Sequence, residues 1–160
     1  MKKNLFKRLA VSVAALGLVA TMQFPAMAAL TNVEFDKELK KDEYAYAPNT
    51  TFAFTVAPGA GTTVATKGLL SYPGVTGGVT VANGAVFSPD TTYDGVVGGL
   101  GKTEISSKFK LNFDATKFTA PGTYHYELTE TDGAYDGMTY DTVAKDLYVF
   151  VPVSYTHLRA

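Results

Sequence analysis

The chain has 160 residues, 46% hydrophobic and 18% charged, which allows one domain of ordinary size and excludes a disordered tail. Fifteen Gly, seven Pro, ten Tyr and ten Phe, with Thr and Val throughout, favour short strands over helices. The absence of Cys excludes disulfides, a thiol nucleophile and a Cys-ligated zinc site, and His125 and His157 alone leave little for His-based catalysis. No cofactor and no metal are expected.

The formal charge of −1 averages two unlike segments. Met1 to Ala28 reads as a secretory signal: Lys2, Lys3, Lys7 and Arg8 precede an apolar run from Leu9 to Met22. An Ala-Met-Ala pattern then suits cleavage before Ala29. The apolar run is too short for a spanning helix, so no membrane attachment is expected after cleavage. The segment is predicted to stand apart as a helix or a disordered arm. Without its four positive charges the remainder stands at −5, which gives no electrostatic case for nucleic acid.

Beyond the leader, hydrophobicity alternates with period two. Asn32 to Lys41 places Val33, Phe35, Lys37 and Leu39 on one face and Glu34, Asp36, Glu38 and Lys40 on the other. A polar hinge through Asp42, Glu43 and Ala47-Pro48-Asn49 leads to a second run, in which Phe52, Phe54 and Val56 alternate with Ala53 and Thr55. Thr62 to Gly101, rich in Gly, Thr and Val, reads as loose connections with one or two strands. Glu104 to Phe113 is a further strand, and Asp114 to Phe118 one turn. Thr123 to Thr131 puts Tyr124, Tyr126, Leu128 and Glu130 on one side. Met138 to Pro152, apolar on both faces around Leu147 to Val151, reads as a central strand lying beside or near the first. The sum is an all-β sandwich, 29–152. From Ser154 to Ala160 the chain resembles a translated sequencing adaptor. The genuine sequence is therefore expected to stop near Pro152, and 153–160 carries no function.

Two charges lie on apolar faces. Lys37 shares its side with Val33, Phe35 and Leu39, and Glu130 shares its side with Tyr124, Tyr126 and Leu128. Either each sits at a strand end and reaches solvent, or the two meet and make each other's burial tolerable. Burial lowers a lysine's pKa and raises a glutamate's, so a buried pair can hold a neutral amine beside a protonated acid. The amine is a nucleophile, and the acid can polarise an amide carbonyl. With a side-chain Asn the product is an amide cross-link, a brace for a domain without cysteine.

Four segments appear in order: Phe35-Asp36-Lys37-Glu38-Leu39, Ala47-Pro48-Asn49-Thr50-Thr51-Phe52-Ala53-Phe54, Pro121-Gly122-Thr123-Tyr124-His125-Tyr126-Glu127-Leu128-Thr129-Glu130 and Gly137-Met138-Thr139-Tyr140-Asp141-Thr142. As a set they resemble the streptococcal-type pilin isopeptide-linkage domain of Gram-positive pilus backbone subunits, over roughly Val33 to Val151. The resemblance implies an immunoglobulin-like sandwich in which a first-strand lysine joins a last-strand asparagine under a glutamate. Lys37 matches the lysine and Glu130 the glutamate that promotes the bond. It also implies other pilin subunits and a sortase as partners, a possible host or matrix ligand, and a place on the Gram-positive surface or wall. Lys145 departs from the family, which tends to have an aromatic residue there. The acceptor asparagine is expected beyond Val151, since Asn32, Asn49, Asn83 and Asn112 lie at strand ends, in turns or on a polar face.

Other signals fail on spacing or geometry. Gly99-Leu100-Gly101-Lys102-Thr103 lacks the earlier glycine of a phosphate loop, which is Val96. Asp132, Asp136 and Asp141 lack calcium-loop spacing, and Glu127 and Glu130 point to opposite faces of one strand. Asn49-Thr50-Thr51 fits a glycosylation sequon but reads as a strand start. The reading is a structural surface protein rather than an enzyme. The alternative is a secreted carbohydrate- or matrix-binding sandwich without self-cross-linking.

Overall fold

The computed structural model describes residues 6–9, 19–21, 31–66 and 69–152. Its strands are β1 (Phe6–Leu9), β2 (Val19–Thr21), β3 (Asn32–Lys40), β4 (Thr50–Phe52), β5 (Phe54–Pro58), β6 (Thr62–Thr66) and β7 (Leu69–Pro73). Then follow β8 (Val79–Asn83), β9 (Ala85–Phe87), β10 (Thr92–Tyr93), β11 (Val96–Val97), β12 (Glu104–Phe113), β13 (Gly122–Glu130) and β14 (Lys145–Val151). A 3-10 turn at Ala115–Lys117 is capped by the Asp114 side chain. The architecture is the expected all-β sandwich.

One sheet has the order β1-β3-β12-β8. β3 and β12 run antiparallel from Asn32 opposite Asn112 to Lys40 opposite Glu104. This register sets Phe35 opposite Phe109 and Leu39 opposite Ile105 on the core side. On the solvent side it pairs Asp36 with Lys108 at 2.9 Å, Glu34 with Lys110 at 3.7 Å and Lys40 with Glu104 at 3.9 Å. Exposed pairs add little stability, but a slip of one residue would bury every one of these charges.

In the second sheet β13 is central. β14 lies antiparallel on one side, while β5 (antiparallel) and β7 (parallel) share the other. The sheets meet through aromatic rings: Phe109 stacks on Phe54 of the opposite sheet at 4.0 Å and on Phe35 of its own at 5.4 Å. Phe52, Phe87, Leu111, Leu128 and Val149 are fully buried around them.

Four expectations change. The run from Phe52 to Val56 is two strands: β4 pairs with β9, the chain turns at Ala53, and β5 joins β13. The Ala53 carbonyl accepts from the Thr131 amide at 2.9 Å, which holds the corner. Among its described residues, Thr62 to Gly101 carries six short strands, too brief and too often broken by Gly, Asn and Pro for alternation to show. It still buries Val79, Ala85, Phe87 and Tyr93. β14 is not buried on both faces, since Leu147, Val149 and Val151 are buried but Phe150 is 37% exposed. Nor does it lie beside β3, because its pairing with β13 places it in the opposite sheet. The leader helix falls mostly outside the described residues. Two short pieces of that segment are described, and both are extended: β1 beside β3 and β2 beside β14.

At the end of β3, Lys41 is buried, and its ammonium donates to three carbonyls: Ala45 at 2.6 Å, Lys102 at 2.8 Å and Asp42 at 3.1 Å. This joins the hinge after β3 to the turn before β12.

Candidate functional site

Alternation turns Lys37 of β3 inward, and its cross-strand partner on β12 is Ser107. The same alternation turns Glu130 inward at the end of β13, where its partner on β5 is Phe54. The two charges meet across the sandwich: Lys37 Nζ donates to Glu130 Oε2 at 2.9 Å, and both side chains are 0% exposed. Of the two placements open from the sequence, burial together is the one observed. Among the described residues, no buried side-chain nitrogen or oxygen lacks a hydrogen-bond partner.

The amine also lies 5.4 Å from the centre of the Phe52 ring, an attraction for a cation. Tyr140, from the connection between β13 and β14, packs on Phe52, with ring centres 5.6 Å apart. Tyr126 is buried as expected, but its hydroxyl serves elsewhere: it donates to the Val75 carbonyl at 2.9 Å and accepts from the Val75 amide at 3.0 Å. The four described asparagines, Asn32, Asn49, Asn83 and Asn112, are all exposed, so none is buried with the pair.

Burial pulls the Lys37 pKa from 10.5 down to about 8, against the opposing pull of Glu130, Asp141 and Glu38. A lysine so placed has an accessible neutral form near physiological pH, as a nucleophile requires. Sequence reasoning assigned no role to Phe52, nor to the pair formed by Asp141 and Lys145 at 3.0 Å. The signal for Lys145 was present, because it shares parity with Leu147, Val149 and Val151.

The family model of the Spy0128-like isopeptide containing domain, FctA, matches residues 33–157. The chain belongs to this family. No curated protein and no solved structure matches the chain. The Spy0128-like domain begins at β3, includes both Lys37 and Glu130, and extends a few residues into the segment expected to be adaptor. It is a pilin-like, structural, isopeptide-containing domain. Among the described residues no helix is long and apolar enough to cross a membrane, and no group of three or more His, Cys, Asp or Glu side chains could hold a metal ion.

The pair makes a prediction about pH. Without a cross-link, Lys37 titrates near 8 in the folded domain and near 10.5 when unfolded. Between those values the unfolded chain binds more protons, so stability rises with pH. Lys41, also lowered by burial, acts in the same direction. Above 10 the sense reverses, because burial raises Tyr126, Tyr140 and Tyr148, and the folded state keeps protons the unfolded chain has lost. Urea midpoints of the uncross-linked domain should therefore climb from about pH 8 to about pH 10 and then fall. A midpoint that fell steadily from pH 8 would contradict the buried placement of Lys37.

Proposed function

We propose that this domain is a load-bearing unit of a surface fibre, a pilus shaft subunit or fibrous adhesin, exported and attached to a Gram-positive wall. In this reading a Lys–Asn isopeptide bond braces it, with Lys37 as nucleophile and Glu130 as the group that promotes the bond. The observation that carries the proposal is the fully buried contact of Lys37 Nζ with Glu130 Oε2 at 2.9 Å. Its partners are other pilin subunits and a sortase, with a host or matrix ligand at the fibre surface.

The chemistry follows from the pair. A proton passes from Lys37 to Glu130, leaving a neutral amine beside a protonated carboxyl. That carboxyl donates to the carbonyl oxygen of an asparagine side chain and increases the positive character of its carbon. Nζ bonds to this carbon, and the bond from the carbon to the amide nitrogen breaks. The leaving nitrogen takes up both protons that Nζ loses, one relayed through Glu130 and one released as the new amide forms, so it departs as ammonium and Glu130 ends as the carboxylate it began as. The asparagine belongs to a strand outside the described residues.

Intact-protein mass spectrometry of the full-length gene product tests the reading. The unaltered protein should be lighter than its sequence by one ammonia, and Lys37→Arg and Glu130→Ala should show no deficit. No deficit in the unaltered protein would overturn the cross-link, and equal deficits with and without Glu130 would remove that residue from it. One feature favours the binding-module alternative: an open cavity of about 670 Å³, lined by Leu70, Tyr72, Pro73, Pro121 and Gly122, with Tyr72 52% exposed. Saturable binding of a glycan or matrix protein there, with no loss of ammonia, would select it.

A further inference from the structure

Lys145 is a further charge on a core face. It opens β14 opposite Leu128, shares the side of Leu147, Val149 and Val151, and its side chain is only 21% exposed. Its partner is Asp141, one helical turn's distance earlier in sequence but in an irregular loop, at 3.0 Å and 29% exposed. The carboxylate is fixed from a second direction, since Asp141 Oδ1 accepts from the Val143 amide at 3.2 Å. The residue before it, Tyr140, packs on Phe52, and the Phe52 ring seats the Lys37 amine. A partly buried ion pair thus stands at the margin of the buried one.

We infer that the Asp141–Lys145 pair sets the ionisation of Lys37, with Lys145 neutralising a carboxylate that would otherwise hold the nucleophile as ammonium. The inference rests on the role proposed for Lys37. The charged groups acting on that amine are Glu130 from β13, Asp141 from the connection to β14, and Glu38 on its own strand. β12 presents Ser107, and β4 presents Phe52, both uncharged. Glu130 is the reacting partner, and Glu38 points to the solvent face. Asp141 is therefore the charge whose influence can be adjusted without altering the reacting pair, and Lys145 is positioned to adjust it. Lys37 feels Asp141 as a negative charge that opposes loss of its proton, and Asp141 in turn is held below the usual carboxylate range by Lys145. An aromatic residue at position 145 would fill the same core-face position but leave Asp141 uncompensated. Asp141 and Lys145 are positioning residues, acting through Lys37 without touching the acceptor amide.

The test is an NMR titration of the Lys37 side-chain amine in the 160-residue chain, run with thermal unfolding of each variant. Asp141→Asn should lower the titration midpoint by about half a pH unit, and Lys145→Met should raise it by a similar amount. Lys145→Arg, which keeps the charge, should leave it in place. A structural role alone would move the unfolding temperature and leave the midpoint alone. Identical midpoints in all four proteins, or a lower midpoint in Lys145→Met, would overturn the inference. Midpoints that move as stated in a protein whose full-length form loses no ammonia would uphold this coupling and overturn the cross-link instead.

Discussion

Glu130→Ala is expected to destabilise the uncross-linked domain by about 3–5 kcal/mol, the usual consequence of leaving one member of a buried ion pair alone. The Lys37 amine has no exposure, and it donates a hydrogen bond to Glu130. Truncating the acid removes that partner and opens a cavity beside Phe54. Lys37 can escape only by giving up its proton, which burial already favours. Replacing both residues, as in Lys37→Met with Glu130→Leu, should recover most of the loss, because similar apolar volume needs no partner. Urea denaturation of the two variants and the parent measures both effects. A loss under about 1 kcal/mol in Glu130→Ala would mean that the pair is far better hydrated than its burial indicates.

Phe109→Ala should cost about as much, about 3–5 kcal/mol. Its ring is fully buried between Phe35 of its own sheet and Phe54 of the other, so removal opens a void at the sheet interface. Neighbours on two sheets, each fixed by its own ladder, cannot collapse into that void. Phe150→Ala on β14 is the control, because its ring is 37% exposed and the expected loss is below about 1 kcal/mol. Similar denaturation midpoints for the two variants would show that the interface repacks easily.

The buried pair was legible in the sequence because long strands record their orientation in parity. β3 and β13 each have nine residues, so a charge on the wrong side stands out against several correct ones. The same signal extended to Lys41, which shares parity with Lys37 and Leu39, and to Lys145. At those positions it lay at the end of a strand, where parity is easily dismissed. Short strands carry no such record: two residues at Thr92–Tyr93 or three at Ala85–Phe87 cannot display a period, and their order comes from tertiary partners. Apolar composition also misled at β14. Tyr148 and Phe150 suggested a second buried face, but their side of β14 is turned away from the core that Leu147, Val149 and Val151 enter, leaving Tyr148 half-buried and Phe150 exposed. The sheet to which a strand belongs depends on the path of its neighbours, which alternation does not encode.

The corner at Ala53 has a consequence for which parts of this chain can vary in length. Phe52 and Phe54 are both buried, two residues apart, yet they belong to strands paired in different sheets. Ala53 between them faces solvent, and its carbonyl is tied to Thr131, the residue after Glu130. One residue more or fewer here would reverse one of the two phenylalanines and shift β5 against β13, carrying Glu130 out of line with Lys37. Insertions should therefore be tolerated at the exposed start of the connection between β13 and β14, ahead of Tyr140, and selected against at residue 53, a corner whose single alanine looks dispensable in the sequence.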